Sequence, residues 1–153
     1  MTQLLRILTP EAEGGVGNVY ADVVITNQKD MNLADEGVIP RNQVRSISLA
    51  NVLVDTGAMT LCLPRPLVQQ LGLPTKDRIQ ATTAGGVIET EIFAQAFIEV
   101  LGRDGTVDCI ALPDGSRPLL GVIPLEIMGL QPDIVHHRLN VLPHDATGTY
   151  INI

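Results

Sequence analysis

The chain has 153 residues, which fits one domain burying roughly two-thirds of its unfolded surface. Hydrophobic residues make up 45% of it but aromatics only 3%, with no Trp, so the core must be aliphatic and a site built from stacked aromatics is disfavoured. Ten Lys and Arg against seventeen Asp and Glu leave a formal net charge of -7, a field that repels phosphate backbones and argues against a nucleic-acid partner.

Taken in order, Leu4 to Leu8 is a short apolar run. With one early Arg and no export-type cleavage site, it does not suit a signal peptide. Glu11 to Gly17 is a polar, glycine-rich link. Asn18 to Thr26 alternates, with Val19, Ala21, Val23 and Ile25 on one face, and predicts a strand. Asn27 to Pro40 is polar and punctuated by Asp30, Asn32 and Gly37, which predicts a surface loop longer than a hairpin needs. Gln43 to Val54 returns as a strand.

That strand ends on Leu53-Val54-Asp55-Thr56-Gly57-Ala58. A carboxylate between apolar neighbours is costly unless it is paired or neutralised, so its placement at the end of a β-rich run points to use. Thr56 carries a hydroxyl that both donates and accepts, and Gly57 lets another backbone or a ligand come close. Taken by itself the Asp-Thr-Gly triplet reads as a turn, since it arises by chance in roughly a few per cent of chains this long.

Leu61-Cys62-Leu63 continues as extended chain, and Pro64 and Pro66 mark a helix start. Leu67, Val68 and Leu71 share a helical face, Gly72 is placed as a C-terminal cap, and Pro74 bars continuation. Arg78 to Thr83 and Val87 to Phe93 predict two strands joined through Ala84-Gly85-Gly86, a mobile hairpin tip. With no Lys after it and a strand downstream, this is not a phosphate-binding loop. Ala94 to Leu101 and Thr106 to Leu112 predict a second hairpin around Gly102 to Gly105. Pro118-Leu119-Leu120-Gly121 is another apolar strand end closed by glycine. Pro124 to Met128 predicts a short helix ended by Gly129, and Ile134, Arg138 to Leu142 and Thr149 to Ile153 predict closing strands, the last an edge or subunit contact. Leu53 to Pro74 and Leu119 to Pro132 run through the same order of strand, glycine turn and helix, which suggests a pseudo-twofold repeat. Only the first copy carries an acid, Leu119 standing near where Asp55 would correspond.

With these pieces assembled, the chain resembles the retroviral-type (retropepsin-like) aspartic proteases, in particular the stand-alone bacterial branch. The likeness rests on Leu53 to Ala58, on Thr82-Thr83-Ala84-Gly85-Gly86, and on Pro118-Leu119-Leu120-Gly121-Val122-Ile123-Pro124-Leu125-Glu126. With Gln131 to Pro143 it covers about residues 18–143. It implies an all-β, closed-barrel fold with a flap hairpin and one or two short helices, in a single domain over 1–153. The active form would be a homodimer. Asp55 would be the catalytic acid facing its copy, Thr56 would lock the two loops across the twofold axis, and Gly57 would pass close to the substrate. Ala58, Thr83, Ala84, Gly85 and Gly86 would line the peptide. Met59 and Thr60 stand where viral enzymes carry two acids, and Val122 where they often carry Arg, which alters the outer substrate clamp.

Other residues yield blander readings. His136 and His137 are adjacent, so on a strand they face opposite ways. With His144 they share no ligand spacing with an acid or Cys, and neither metal nor organic cofactor is expected. Cys62 and Cys109 read as buried thiols of a reducing compartment, with a disulfide as the alternative. No stretch approaches the eighteen or so apolar residues of a membrane span, so a cytoplasmic protein without membrane contact is expected. A start at Met1 suggests control by dimerisation. The expected activity is endopeptidase cleavage of a peptide or protein substrate at apolar positions. Its rivals are a non-catalytic peptide-binding or dimerisation module on the same fold, and a structural protein with an incidental turn.

Overall fold

The computed structural model describes residues 4–6, 17–83 and 85–143. The protein is all-β, with strands β1 (Leu4–Arg6), β2 (Val19–Asn27), β3 (Ser46–Val54), β4 (Leu61–Pro64), β5 (Thr75–Thr83), β6 (Gly86–Val100), β7 (Arg103–Leu112), β8 (Leu119–Leu120), β9 (Leu130–Asp133) and β10 (Arg138–Val141). Helices α1 (Gln28–Asp35), α2 (Arg65–Leu71) and α3 (Val122–Met128) are short. The main sheet runs β1-β5-β6-β2-β3-β8-β4-β7, and a further β6–β7 pairing closes the last six strands into a ring. β9 and β10 form a separate antiparallel pair.

The ring follows from the alternation along the strands. In β2, Val19, Ala21, Val23 and Ile25 are all buried, the face that their period of two predicts. They join Leu61, Leu63, Ile98, Leu120 and Met128 in an aliphatic core. A second, smaller cluster gathers Leu53, Ala58, Cys62, Ile79, Ala81, Ile110, Leu112 and Leu119, with Met59 and Ile88 packed on it. The base of the β5–β6 hairpin and the loop after β3 therefore share one set of contacts. α2 begins with Pro66 in its first turn and ends at Gly72 in the left-handed conformation, φ +62°, as its cap and prolines predict.

Several expected boundaries give way. Asn27 to Pro40 is not simply a loop, since α1 occupies Gln28–Asp35. Asn27 caps it, accepting from the Asp30 N–H at 3.1 Å, while its own amide donates to the Leu71 carbonyl at 2.8 Å. The inward residues of α1 are Asp30 and Ala34, so the polar pattern concealed its buried face. The two strands expected over 87–101 are one 15-residue strand, β6. A bulge between Phe93 and Ala96 absorbs the irregularity, with Gln95 at φ +65°. The following turn is tighter than expected, at Leu101-Gly102, both at positive φ. α3 begins at Val122, so Pro124 falls in its first turn rather than at its start. Ile134 lies in the turn between β9 and β10, not in a strand. The segment from Thr149 to Ile153, His144 and most of the glycine-rich link fall outside the described residues.

Asp30 binds Arg45 through both carboxylate oxygens, at 2.8 Å and 3.0 Å, and accepts the Arg45 backbone N–H at 3.1 Å. The Asp30 side chain is 7% exposed and that of Arg45 51%. The Arg45 hydrogen bonds hold the Asp30 carboxyl below its ordinary 3.8, against the opposing pull of burial. This stabilisation is complete above that ordinary value and is lost as pH falls through the lower folded one. Arg45→Met strands a buried carboxylate. It is expected to cost about 2 kcal/mol at neutral pH, less than a fully buried pair because Arg45 half faces water. Urea titrations at pH 7 and pH 3 check this: the deficit shrinks at pH 3, where the stranded carboxyl takes up its proton.

Candidate active site

Asp55 follows the last residue of β3, half-buried, with Thr56 and Gly57 exposed beside it. Its position is set by a crossing that no local pattern encodes. β8 runs between β3 and β4, parallel to β3 with Leu53 opposite Leu119 and Val54 opposite Leu120, and antiparallel to β4. The Asp55 N–H donates to the Leu120 carbonyl at 2.9 Å. Beyond β8, the Gly121 N–H donates to the Thr60 carbonyl, the Val122 N–H to the Ala58 carbonyl and the Ile123 N–H to the Met59 carbonyl, at 2.9 to 3.1 Å. The loop 55–60 is thus pinned at both ends by the second apolar strand end and the start of α3.

Within the loop, the Gly57 N–H donates to Asp55 Oδ1 at 2.8 Å and the Ala58 N–H to the Asp55 carbonyl at 3.0 Å. These bonds orient the carboxyl group without reaching either neighbouring strand. Ala58 is turned inward, 1% exposed, with both backbone groups engaged. Thr60, which the sequence offers only as a departure from the viral pattern, is buried, and its hydroxyl donates to the Asp108 carbonyl in β7 at 2.7 Å. Gly121 is a second residue whose importance the sequence understates. A Cβ there would fall 2.5 Å from the Ala58 carbonyl oxygen and 2.6 Å from that of Thr60. A glycine closing an apolar pair was the available signal; the backbone it must clear lies some sixty positions earlier in the chain.

Cys62 sits beneath the loop. Burial, then the nearby Asp55 charge, pushes its thiol up to about 12, and burial also raises that of Cys109. Both are free buried thiols. The register sets Leu61 against Cys109 and Cys62 against Ile110, so the two sulfurs face opposite sides of the sheet and belong to different core clusters.

The expected flap is the β5–β6 hairpin, paired from Thr75–Phe93 to Thr83–Gly86. The Thr83 hydroxyl donates to the Gly86 carbonyl at 2.9 Å and accepts the Gly85 N–H at 3.2 Å. Gly86 stands at φ +113°, where a side chain would be strained. Ala84 is outside the described residues. Lower in the hairpin, the Thr90 hydroxyl donates to the Ala111 carbonyl at 2.5 Å, anchoring the base while leaving the tip exposed. His136 and His137 make separate contacts, with Asp133 and with the Asn18 carbonyl. Among the described residues no helix is long and apolar enough to cross a membrane.

No curated protein matches the chain. Residues 43–123, just over half of the chain, match the family described as aspartyl protease. That span runs from the approach to β3 through the Asp55 loop and the β5–β6 hairpin to Gly121 and the start of α3. The chain belongs to the aspartyl protease family, with an all-β fold consistent with its retropepsin-like type.

Proposed function

We propose that the protein is an aspartic endopeptidase whose reaction centre forms when Asp55 of two copies meet across a twofold axis. The observation that carries this is the loop itself: one half-buried acid, oriented by the Gly57 N–H at 2.8 Å and held on both sides by backbone bonds. Amide hydrolysis without metal or covalent intermediate needs a base for water and an acid for the leaving nitrogen. Two carboxylates a few ångströms apart share one proton and supply both, and they titrate as a pair. One acid per chain then calls for two chains.

In this reading the ionised carboxyl takes a proton from water as its oxygen attacks the scissile carbonyl carbon. The protonated partner then gives its proton to the amide nitrogen as the C–N bond breaks. Thr56, exposed at the loop tip, is assigned to bonds with the facing loop, and Gly57 to close approach of the peptide. Ala58 supports the loop from below. Thr83, Ala84, Gly85 and Gly86 form the closing flap, which excludes water from the cleft. The half-buried Met59, Ile88 and Ile92 border the smaller core cluster, which favours apolar residues on either side of the cleaved bond.

Mixing tests the shared centre. Wild-type chains re-equilibrated with a ninefold excess of Asp55→Asn chains should fall to about a tenth of their activity per wild-type chain, because random pairing leaves few doubly acidic dimers. Initial rates on a mixed peptide library measure this. Unchanged activity per wild-type chain would place the whole reaction in one polypeptide. Peptide retention with no turnover from acid to neutral pH would make the protein a binding module.

A further inference from the structure

We propose that Thr60 is a positioning residue for Asp55: its hydroxyl fastens the acid-bearing loop to Asp108 of β7, the residue to which Lys76 also fastens the base of the β5–β6 hairpin. The inference rests on the reading of Asp55 as the reacting acid and names what holds that acid in place.

A buried hydroxyl is the first argument. Thr60 closes the loop that begins at Asp55 and is 2% exposed. Burying a hydroxyl is costly unless it finds a partner, and this one donates to the Asp108 carbonyl at 2.7 Å. The Thr60 carbonyl in turn accepts the Gly121 N–H at 3.1 Å and the Cys62 thiol at 3.6 Å. The parallel β4–β7 ladder begins only at Leu61 and Cys109. The hydroxyl therefore carries the grip of β4 on β7 one residue further, to the edge of the Asp55 loop.

The course of β7 at that point is the second. Phe93 pairs with Cys109 and Ala96 with Val107, so Ala94 and Gln95 of β6 lie opposite Asp108 alone. A bulge of this kind interrupts the ladder and bends the strand, which leaves side-chain bonds to fix the backbone there. β5 is irregular at the same level. Thr75 pairs with Phe93 and Asp77 with Ile92, leaving Lys76 as the extra residue, and its Nζ lies 2.8 Å from Asp108 Oδ2. Two irregular strands and the end of the Asp55 loop thus meet on one residue.

The Lys76–Asp108 pair is exposed, its side chains 56% and 38% accessible, and such pairs add little to stability. Its effect is geometric: it holds Asp108 where the Thr60 hydroxyl reaches it.

The test compares wild type, Thr60→Val, Thr60→Ser and Lys76→Met by steady-state peptide hydrolysis and by the amide proton resonance of Gly57. That resonance reports on Asp55 without turnover, because the Gly57 N–H donates to Asp55 Oδ1 at 2.8 Å. Thr60→Val keeps the shape and removes the donor. It should lower kcat by about 10-fold with KM within about twofold, as a misplacement of a fraction of an ångström would. The Gly57 resonance should move upfield as its bond weakens. Thr60→Ser keeps the hydroxyl and should match wild type in both measurements. Lys76→Met should move the Gly57 resonance in the same direction and lower kcat by about threefold. Added to Thr60→Val it should bring little more, since both act through Asp108.

A Thr60→Val variant with wild-type kcat and Gly57 resonance overturns the proposal. So does a Thr60→Ser variant that loses as much as Thr60→Val, or a Lys76→Met variant whose Gly57 resonance stays put. The Lys76 arm decides alone if Thr60→Val does not fold, because its exposed pair is not needed for folding. The expected Gly57 shifts in a protein that cleaves no peptide uphold the positioning and remove the catalytic reading instead.

Discussion

Asp55→Asn is expected to lower peptide hydrolysis by about 1,000-fold, within the range by which positioned acid–base groups accelerate proton transfer, and to leave the protein folded. The reasons for both halves lie in the loop. An asparagine Oδ1 can still accept the Gly57 N–H that now donates to Asp55 at 2.8 Å. The backbone bonds from Asp55 to Leu120 and from Ala58 to Asp55 do not involve the side chain at all. What the amide cannot do is take a proton from water or hand one to the leaving nitrogen. The loss should therefore fall on kcat rather than KM, because the substitution preserves volume and alters chemistry. Steady-state kinetics beside a thermal melt separate the two: an unfolded variant is silent for the wrong reason, and a folded variant with full activity removes Asp55 from the mechanism.

Gly121→Ala is expected to damage stability and activity together. The backbone at Gly121, φ -91° and ψ -172°, is open to any residue, so the constraint is space. An added Cβ would lie 2.5 Å from the Ala58 carbonyl oxygen, 2.6 Å from the Thr60 carbonyl oxygen and 2.7 Å from the Thr60 nitrogen. All three are main-chain atoms, so no rotamer change relieves the overlap and the loop must move. Overpacking of this kind costs about 3 kcal/mol or more, or about 10 °C in Tm for a chain of this size. Displacing the acid by about 1 Å can cost a further 100-fold in rate. Gly85→Ala is the contrast, since its Cβ would meet only the Thr83 hydroxyl, at 3.7 Å. Melting both variants checks the difference, and a Gly121→Ala protein as stable as wild type would show that the loop is looser than its hydrogen bonds indicate.

The parts of the fold legible in the sequence are those whose cause is local. The alternation of Val19, Ala21, Val23 and Ile25, the proline start and Gly72 cap of α2, and the glycine tip of the β5–β6 hairpin each follow from backbone preference or a period of two. α1 was hidden because one of its two buried residues is an acid. Asp30 reads as solvent-facing until Arg45, fifteen positions on, supplies the two bonds that let it lie inside. The length of β6 was hidden by the bulge between Phe93 and Ala96, which interrupts the period of two that marks a continuous strand.

At the candidate site, the sequence by itself displays the acid at Asp55, the hydroxyl and glycine beside it, the glycine tip of the β5–β6 hairpin, and the second apolar pair that lacks an acid. Those are choices of residue, and chemistry reads them directly. Only the tertiary structure decided that Leu119 and Leu120 thread between β3 and β4, that Gly121 must stay bare beneath the Ala58 and Thr60 carbonyls, and that the Ile134 turn stands beside Asn18. Each of these joins segments dozens of residues apart through backbone hydrogen bonds or steric fit, and backbone groups are the same in every residue, so no side-chain pattern announces them.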